Sequence, residues 1–141
     1  MRLDELTPGL SAELSKTVTE TDVVLFAGIT GDLNPAHIDD VAASESRFGG
    51  RIAHGMLVAS FISTVLGMRL PGPGTIYLSQ SLRFTAPVRL GDTVTARVEV
   101  AELVPGKRRA RLATTVRNQR GETVIDGEAT VMVPARPEPA A

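Results

Sequence analysis

Two short segments of the chain carry the residue types that acid–base chemistry needs. The first, GDLNPAH (31–37), places the carboxylate of Asp32 five residues before the imidazole of His37, with a proline between them that stiffens the chain. The second, RIAHGM (51–56), contains His54, the only other histidine. A carboxylate and an imidazole on one rigid loop can contact the same water molecule, so that one removes a proton while the other delivers one. The spacing therefore predicts Asp32 and His37 as an acid–base pair.

Gly55 stands at the predicted start of a long apolar helix. The first backbone N–H groups of a helix lack intrahelical acceptors and lie at the positive end of its dipole. They can bind a developing oxyanion, and a residue without Cβ lets a carbonyl group approach closely. The second segment is therefore predicted to complete the site that the first begins.

Each candidate residue also has a purely structural interpretation. Asp32 and Asn34 are common turn residues, and His37 alone is compatible with a surface imidazole. His54 is more typical of a residue that positions a loop than of a catalyst, and Ser63 in a buried helix usually bonds to the preceding turn. Asp32, His37 and His54 lack the spacing of a standard metal site, and the sequence has no phosphate-binding loop. No metal and no cofactor are predicted.

Composition restricts the class of protein. With 141 residues, 43% hydrophobic and 22% charged, the chain fits one globular domain, which we expect over 1–134 with a disordered tail at 135–141. A net charge of -1 does not favour nucleic acid or anionic membranes as partners. The longest uncharged stretch, 52–68, is shorter than the roughly 20 residues that span a bilayer. A soluble, cytoplasmic protein is expected.

Regular elements must position the two segments. A short strand is predicted at 11–18, and Thr19 with Asp22 forms a capping box for a helix that ends near 28–31. The segment 31–37 is then predicted to be a loop, because Gly, Asn and Pro break regular structure. Further helices are expected at 39–46 and 55–69. The last is apolar on nearly every side and must be surrounded by protein.

From residue 74 onwards the apolar residues recur with a spacing of two, which is typical of strands with one buried face. The turns VPGK (104–107) and NQRG (118–121) separate antiparallel strands. The predicted strands are 74–86, 92–103, 107–117 and 121–133. Ile76, Leu78, Leu82 and Phe84 are expected to share one face of the first strand. A meander that curls around the long helix is an α+β domain of the hot-dog type.

The two segments and the strand region LPGPGTIYLSQSLRFTAPVRLGDTVTARVEV together resemble the MaoC-like (R)-specific enoyl-CoA hydratases. The resemblance covers about residues 10–133 and is closest to the short members linked to polyhydroxyalkanoate monomer supply. It implies that Asp32 and His37 are catalytic, that Asn34 supports them, and that Gly55 forms the oxyanion hole. It also implies that Ser63 lines the same site. Relatives are homodimers whose acyl-CoA lies in a tunnel at the subunit interface.

The reaction that this resemblance implies is the addition of water to a trans-2-enoyl-CoA, giving (R)-3-hydroxyacyl-CoA without a metal or redox cofactor. His37 is favoured as the base and Asp32 as the group that manages the C2 proton. Since aromatic residues make up 4% of the chain, the binding tunnel is expected to be aliphatic. Three alternatives stay open: a (3R)-hydroxyacyl dehydratase for carrier-protein substrates, a hot-dog thioesterase, and a non-catalytic acyl-CoA-binding module.

Overall fold

The computed structural model describes residues 1–134, which contain a five-stranded antiparallel sheet and four α-helices. The elements in chain order are β1 (Ser11–Thr17), α1 (Glu20–Thr30), α2 (Pro35–Ile38), α3 (Asp40–Ser44), α4 (Gly55–Met68), β2 (Ile76–Phe84), β3 (Thr93–Val104), β4 (Arg109–Arg117) and β5 (Thr123–Met132). Two 3-10 turns, Leu3–Glu5 and Pro105–Lys107, complete the list. The strand order is β1-β3-β4-β5-β2. The tail predicted to be disordered, 135–141, lies outside the described residues.

The core lies between one face of the sheet and the long helix α4, as the apolar spacing predicts. Alternate residues of β3 and β4 are buried: Val94, Ala96, Val98 and Val100 on the first, and Ala110, Leu112 and Val116 on the second. Helix α4 packs against β1, β3 and β4. Burial of these side chains is the main source of stability for such a sheet–helix pair. The predicted α+β architecture, a sheet around a central helix, is confirmed.

Helix α4 is not covered on every side within a single chain, so the prediction that protein surrounds it is wrong at this level. The sheet contacts one side, which buries residues such as Ile62 and Leu66 completely. A stripe of exposed residues follows the opposite side at helical spacing: Met56, Ser60, Ser63, Thr64 and Met68. Two of these residues are methionines with exposed apolar side chains, and the other three carry hydroxyl groups. None of the helices in this range is long and apolar enough to cross a membrane.

Strand β2 differs from its prediction in two ways. It pairs with β5 at the edge of the sheet, rather than continuing into a meander with β3. A β-bulge between Tyr77 and Ser79 also shifts its register, so the expected common face does not form. Ile76, Leu78 and Phe84 are exposed, whereas Gln80, expected to interrupt the face, points inward and donates to Thr114 Oγ1.

Short-range caps shape the segment between β1 and α4. The predicted capping box is present, with Thr19 accepting from Asp22 N–H and Asp22 accepting from Thr19 N–H. A hydrogen bond from the Lys16 ammonium holds the pKa of Asp22 below its ordinary value. The 31–37 segment is not wholly a loop: Pro35–Ile38 forms one helical turn. Proline fixes a helical φ at the first position, and the Asn34 side chain caps the turn by accepting from Ala36 N–H.

Candidate active site

A cavity of about 540 Å³ opens where the 31–37 segment meets the N-terminus of α4. We call residues 31–37 the acid–base segment and residues 51–55 the supporting segment. Both contribute to the cavity wall, as does the connection that follows β2. The predicted site residues in this wall are Asp32, His37, His54 and Gly55. The fold therefore brings together four of the six residues that the sequence singled out.

The reactive groups lie at a distance that suits one shared water molecule. A carboxylate oxygen of Asp32 and one ring nitrogen each of His37 and His54 all lie within 4.8 Å of one another. A water that makes two hydrogen bonds of about 2.8 Å at a tetrahedral angle bridges atoms roughly 4.6 Å apart. Asp32 is exposed and His37 is 9% exposed, so the pair faces the cavity from a partly desolvated wall.

The hydrogen bonds of His37 determine which of its nitrogens is available. Nδ1 lies 2.7 Å from the carbonyl oxygen of Ile52, and because a carbonyl can only accept, Nδ1 carries the proton. In the neutral ring Nε2 is then unprotonated and has a free lone pair. An imidazole held in this tautomer can act as a base at Nε2 without any rearrangement of its ring.

His54 is buried and contacts both Asp32 and His37. Its Nε2–H donates to the backbone oxygen of Asp32 at 3.0 Å, and its ring stacks on His37 with 3.9 Å between centroids. Nδ1 of His54 is buried and has no hydrogen-bond partner among residues 1–134. These contacts favour the structural interpretation, in which His54 positions its neighbours.

The same stacking bears on whether Asp32, His37 and His54 could hold a metal ion. Two imidazoles that bind one ion must direct their in-plane lone pairs at a common point about 2 Å from each nitrogen. The planes of His37 and His54 lie one above the other with 27° between them, so their lone pairs run along nearly parallel planes. The cluster therefore has suitable ligand types without the convergence that a metal requires.

Gly55 is the first residue of α4, so its N–H points out of the helix with no intrahelical acceptor. Phe84 lies directly over it: a Cβ added to Gly55 would approach Phe84 Cε1 to 2.7 Å. Only glycine leaves room for this ring beside the helix N-terminus. The space that the missing Cβ leaves is therefore occupied by the Phe84 ring, and the predicted approach of a carbonyl group to Gly55 stays a prediction.

Two predicted residues do not line this cavity. Asn34 is exposed and its side chain caps α2, while its backbone N–H donates to Asp32 Oδ1 at 3.2 Å. Ser63 faces a separate cavity of about 410 Å³ between α4 and β2, which we call the α4–β2 groove. Met56 lines both cavities, so they adjoin at that side chain. Within one chain the structure does not bring Ser63 to Asp32 and His37, and its role stays a prediction.

Sequence reasoning missed the aromatic wall and one arginine. Phe26, Phe48 and Phe84, three of the four phenylalanines in the chain, line the cavity, so the expectation of an aliphatic tunnel is wrong there. A low overall aromatic content does not exclude concentration at one site. Arg51, three residues before His54, donates from Nε to the His37 carbonyl oxygen at 2.6 Å. No pattern of residue types points to such a main-chain contact.

Known proteins are similar to this chain in both sequence and architecture. The profile of the MaoC-like domain family matches residues 6–124. The chain belongs to the MaoC-like family. It is 57% identical to the (R)-specific enoyl-CoA hydratase of Rhodospirillum rubrum over 133 residues, 94% of this chain and 92% of that protein. The predicted family resemblance is confirmed.

Solved structures of the family have the same fold. The unliganded R-hydratase PhaJ1 from Pseudomonas aeruginosa superimposes with a TM-score of 0.92 at 48% identity, covering 99% of this chain and 92% of that one. The (R)-hydratase from Aeromonas caviae involved in PHA biosynthesis gives a TM-score of 0.90 at 46% identity, covering 92% of this chain and 98% of that one. The predicted hot-dog fold is confirmed.

Proposed function

We infer that this chain is a hydro-lyase that adds water reversibly to a trans-2-enoyl-CoA and forms (R)-3-hydroxyacyl-CoA. The high identity to a relative named (R)-specific enoyl-CoA hydratase, over nearly the whole of both chains, supports this activity. The observation that carries the mechanism is the short separation of Asp32 and His37 at a cavity wall that also contains the N-terminus of α4.

The thioester carbonyl of the substrate has to accept negative charge during the reaction. Conjugation with this carbonyl makes C3 electrophilic, and attack there by water moves electrons through C2 onto the thioester oxygen. We propose that the Gly55 N–H and the dipole of α4 stabilise the resulting enolate oxygen. Nothing in this scheme uses a metal or redox cofactor, and we expect turnover to be unchanged by a chelator.

Water and proton are handled by the acid–base pair. Nε2 of His37 takes a proton from the bridging water as its oxygen attacks C3, since Nδ1 is already protonated and bound to Ile52. Asp32 then relays that same proton from His37 to C2, so that both residues return to their starting state and the net change is the addition of one water. Because one water supplies both groups, hydroxyl and proton arrive on the same face.

We further propose that the working unit is a homodimer. The exposed stripe of α4 and the edge strand β2 flank the α4–β2 groove and carry exposed apolar side chains: Met56, Met68, Ile76, Leu78 and Phe84. Edge strands with free backbone groups and apolar side chains pair readily with a second copy. A second chain on this surface would enclose the α4–β2 groove, and Ser63 with it, next to the cavity. Light scattering after gel filtration should give about twice the chain mass.

The substrate supply fits the described relatives. The Aeromonas caviae (R)-hydratase is involved in PHA biosynthesis, and we propose the same use of the product here, in the cytoplasm. Deleting the gene should lower polymer made from fatty acids, and fractionation should recover the protein with cytoplasmic markers. Acyl-CoA is the proposed partner; nucleic acid and membranes are not.

The test of function is the loss of enoyl-thioester absorbance with crotonyl-CoA, followed by chiral analysis of the product. We expect (R)-3-hydroxybutyryl-CoA. Faster turnover of the matched carrier-protein thioester would favour the dehydratase alternative, and release of free CoA would favour the thioesterase. Tight binding of crotonyl-CoA without turnover would favour the non-catalytic module and contradict the proposal.

A further inference from the structure

Arg51 and Ile52 of the supporting segment make three hydrogen bonds to α2. Ile52 N–H donates to the carbonyl oxygen of Ala36 at 3.1 Å, and Arg51 Nε–H donates to that of His37 at 2.6 Å. The Ile52 carbonyl in turn accepts from His37 Nδ1 at 2.7 Å. The main chain and the ring of His37 are thus fixed by adjacent residues of the same segment.

Helix α2 needs this outside support. It has four residues, and a single helical turn is not stable alone because nucleation fixes several residues for very few hydrogen bonds. Its carbonyl groups have almost no intrahelical donors, so they require partners from elsewhere. The direction of the His37 side chain therefore depends on groups outside its own helix.

The guanidinium of Arg51 is itself held firmly. Its side chain is 9% exposed, Nη1 donates to Glu20 Oε1 at 2.8 Å, and Asp40 Oδ1 lies 3.6 Å away. Glu20 begins α1 and Asp40 begins α3, so one side chain joins three helices around the acid–base segment. A planar guanidinium suits this task, since its donors point in fixed, different directions.

We propose that Arg51 is a positioning residue for His37, setting the direction of Nε2 through the His37 carbonyl without touching the substrate. The inference rests on the proposed function, in which Nε2 receives the proton of water. A shift of about 1 Å in a catalytic group can lower a rate about a hundredfold, so loss of this anchor should act on turnover. Substrate affinity should change little, because Arg51 does not line the cavity.

The test compares Arg51→Met and Arg51→Lys with the control Arg111→Met. Arg111 also joins two carboxylates, Glu102 at 2.6 Å and Glu128 at 2.7 Å, but it lies on β4 and does not line the cavity. The measurements are kcat and KM with crotonyl-CoA, the thermal midpoint, and the NMR signal of the His37 Nδ1 proton. We expect Arg51→Met to lower kcat ten- to a hundredfold with KM within about twofold. Arg51→Lys should recover part of this loss, and Arg111→Met should change neither constant.

The NMR signal separates positioning from stability. Without the anchor, the Nδ1 proton of His37 should shift and exchange faster with water at temperatures where the variant is folded. Wild-type kcat in folded Arg51→Met, or a lowered kcat with an unchanged signal, would overturn the proposal. If the methionine variant does not fold, the same criteria apply to Arg51→Lys. A wild-type protein inactive on enoyl thioesters would contradict the function, while the NMR comparison would still test the positioning.

Discussion

The acid–base segment and the supporting segment differ in their hydrogen bonding: the first keeps the His37 Nε2 lone pair available, and the second bonds most of its polar groups, with His54 Nδ1 and the Gly55 N–H as exceptions. In the first, Asp32 is exposed, and the neutral tautomer of His37 leaves the Nε2 lone pair free. In the second, Ala53 N–H is bonded to Val88 O, Arg51 and Ile52 bond to α2, and His54 bonds to the Asp32 backbone. Atoms without a hydrogen-bond partner are available to react, whereas hydrogen-bonded atoms fix the geometry of the site. The site divides these requirements between two pieces of chain.

This division predicts which substitutions act on turnover and which act on stability. Changes of the free atoms should remove activity from a folded protein. Substitutions that remove a hydrogen bond should let the reactive side chains move, with a smaller loss of kcat and a measurable loss of stability.

Asp32→Asn and His37→Ala should each lower kcat by about 10²–10⁴-fold, the usual contribution of a general acid or base. The thermal midpoint of Asp32→Asn should barely change, because its side chain is exposed. Steady-state hydration of crotonyl-CoA gives kcat, and thermal unfolding gives the midpoint. A folded Asp32→Asn variant with wild-type kcat would remove Asp32 from the mechanism.

Asp22→Asn is the matched control, a carboxylate to amide change in the preceding helix. It should keep kcat and lose stability. The pKa of Asp22 is lowered by its hydrogen bond to Lys16, so its carboxylate stabilises the fold above the ordinary value of 3.8. This contribution is lost as the pH falls through the lowered pKa. The stability difference from wild type should therefore shrink in acid.

His54→Phe should lower kcat about tenfold, an intermediate effect. The phenyl ring keeps the stacking on His37 but cannot donate to the Asp32 carbonyl, so the acid–base segment loses one anchor. Removing a hydrogen bond costs about 1 kcal/mol, which is partly offset because the orphaned Nδ1 also disappears. Chemical denaturation measures the change in the free energy of unfolding, and steady-state kinetics measures the change in kcat. A loss of kcat as large as that of His37→Ala would assign His54 to the chemistry instead.

Gly55→Ala should lower kcat/KM several-fold by moving Phe84, whose ring would lie 2.7 Å from the new Cβ. The ring is about half exposed and can turn away, so the fold should survive. Gly28→Ala is the control, because nothing lies within 4 Å of its added Cβ and alanine favours its helix. Combining Gly55→Ala with Phe84→Leu should restore part of the loss; no recovery would contradict this explanation.

Asn34→Ala should have the smallest effect on turnover, within about threefold, and should cost about 1 kcal/mol through loss of the α2 cap. Urea unfolding measures the loss of stability, and steady-state kinetics measures kcat. A large loss of kcat at unchanged stability would mean that Asn34 contacts the reacting groups, contrary to its position outside the cavity wall.

The sequence predicted the parts of this site that depend on local chemistry. Asp32 and His37 share a short segment, so their proximity required little knowledge of the fold, and the apolar run after Gly55 marked the start of α4. Strands β3 and β4 were equally predictable, since Val98 and Leu112 belong to clean alternations with one buried face.

Other features depend on contacts that residue types do not encode. Phe84 reaches Gly55 because β2 pairs with β5 and contains a bulge, and neither pairing nor bulge follows from spacing. Arg51 acts on a main-chain oxygen, for which any side chain at position 37 would serve equally well. Ser63 lies on an uncovered surface, so its place in the site depends on a second molecule.

The measurement that tests the central claim most directly is kcat for crotonyl-CoA hydration by Asp32→Asn, His37→Ala and the double variant, with folding checked for each. Groups that act as a unit on one water give strongly non-additive losses. We predict that the double variant is at most about tenfold slower than the slower single variant. A double variant that loses the full product of the two single losses would show that Asp32 and His37 act independently, and would contradict a shared water.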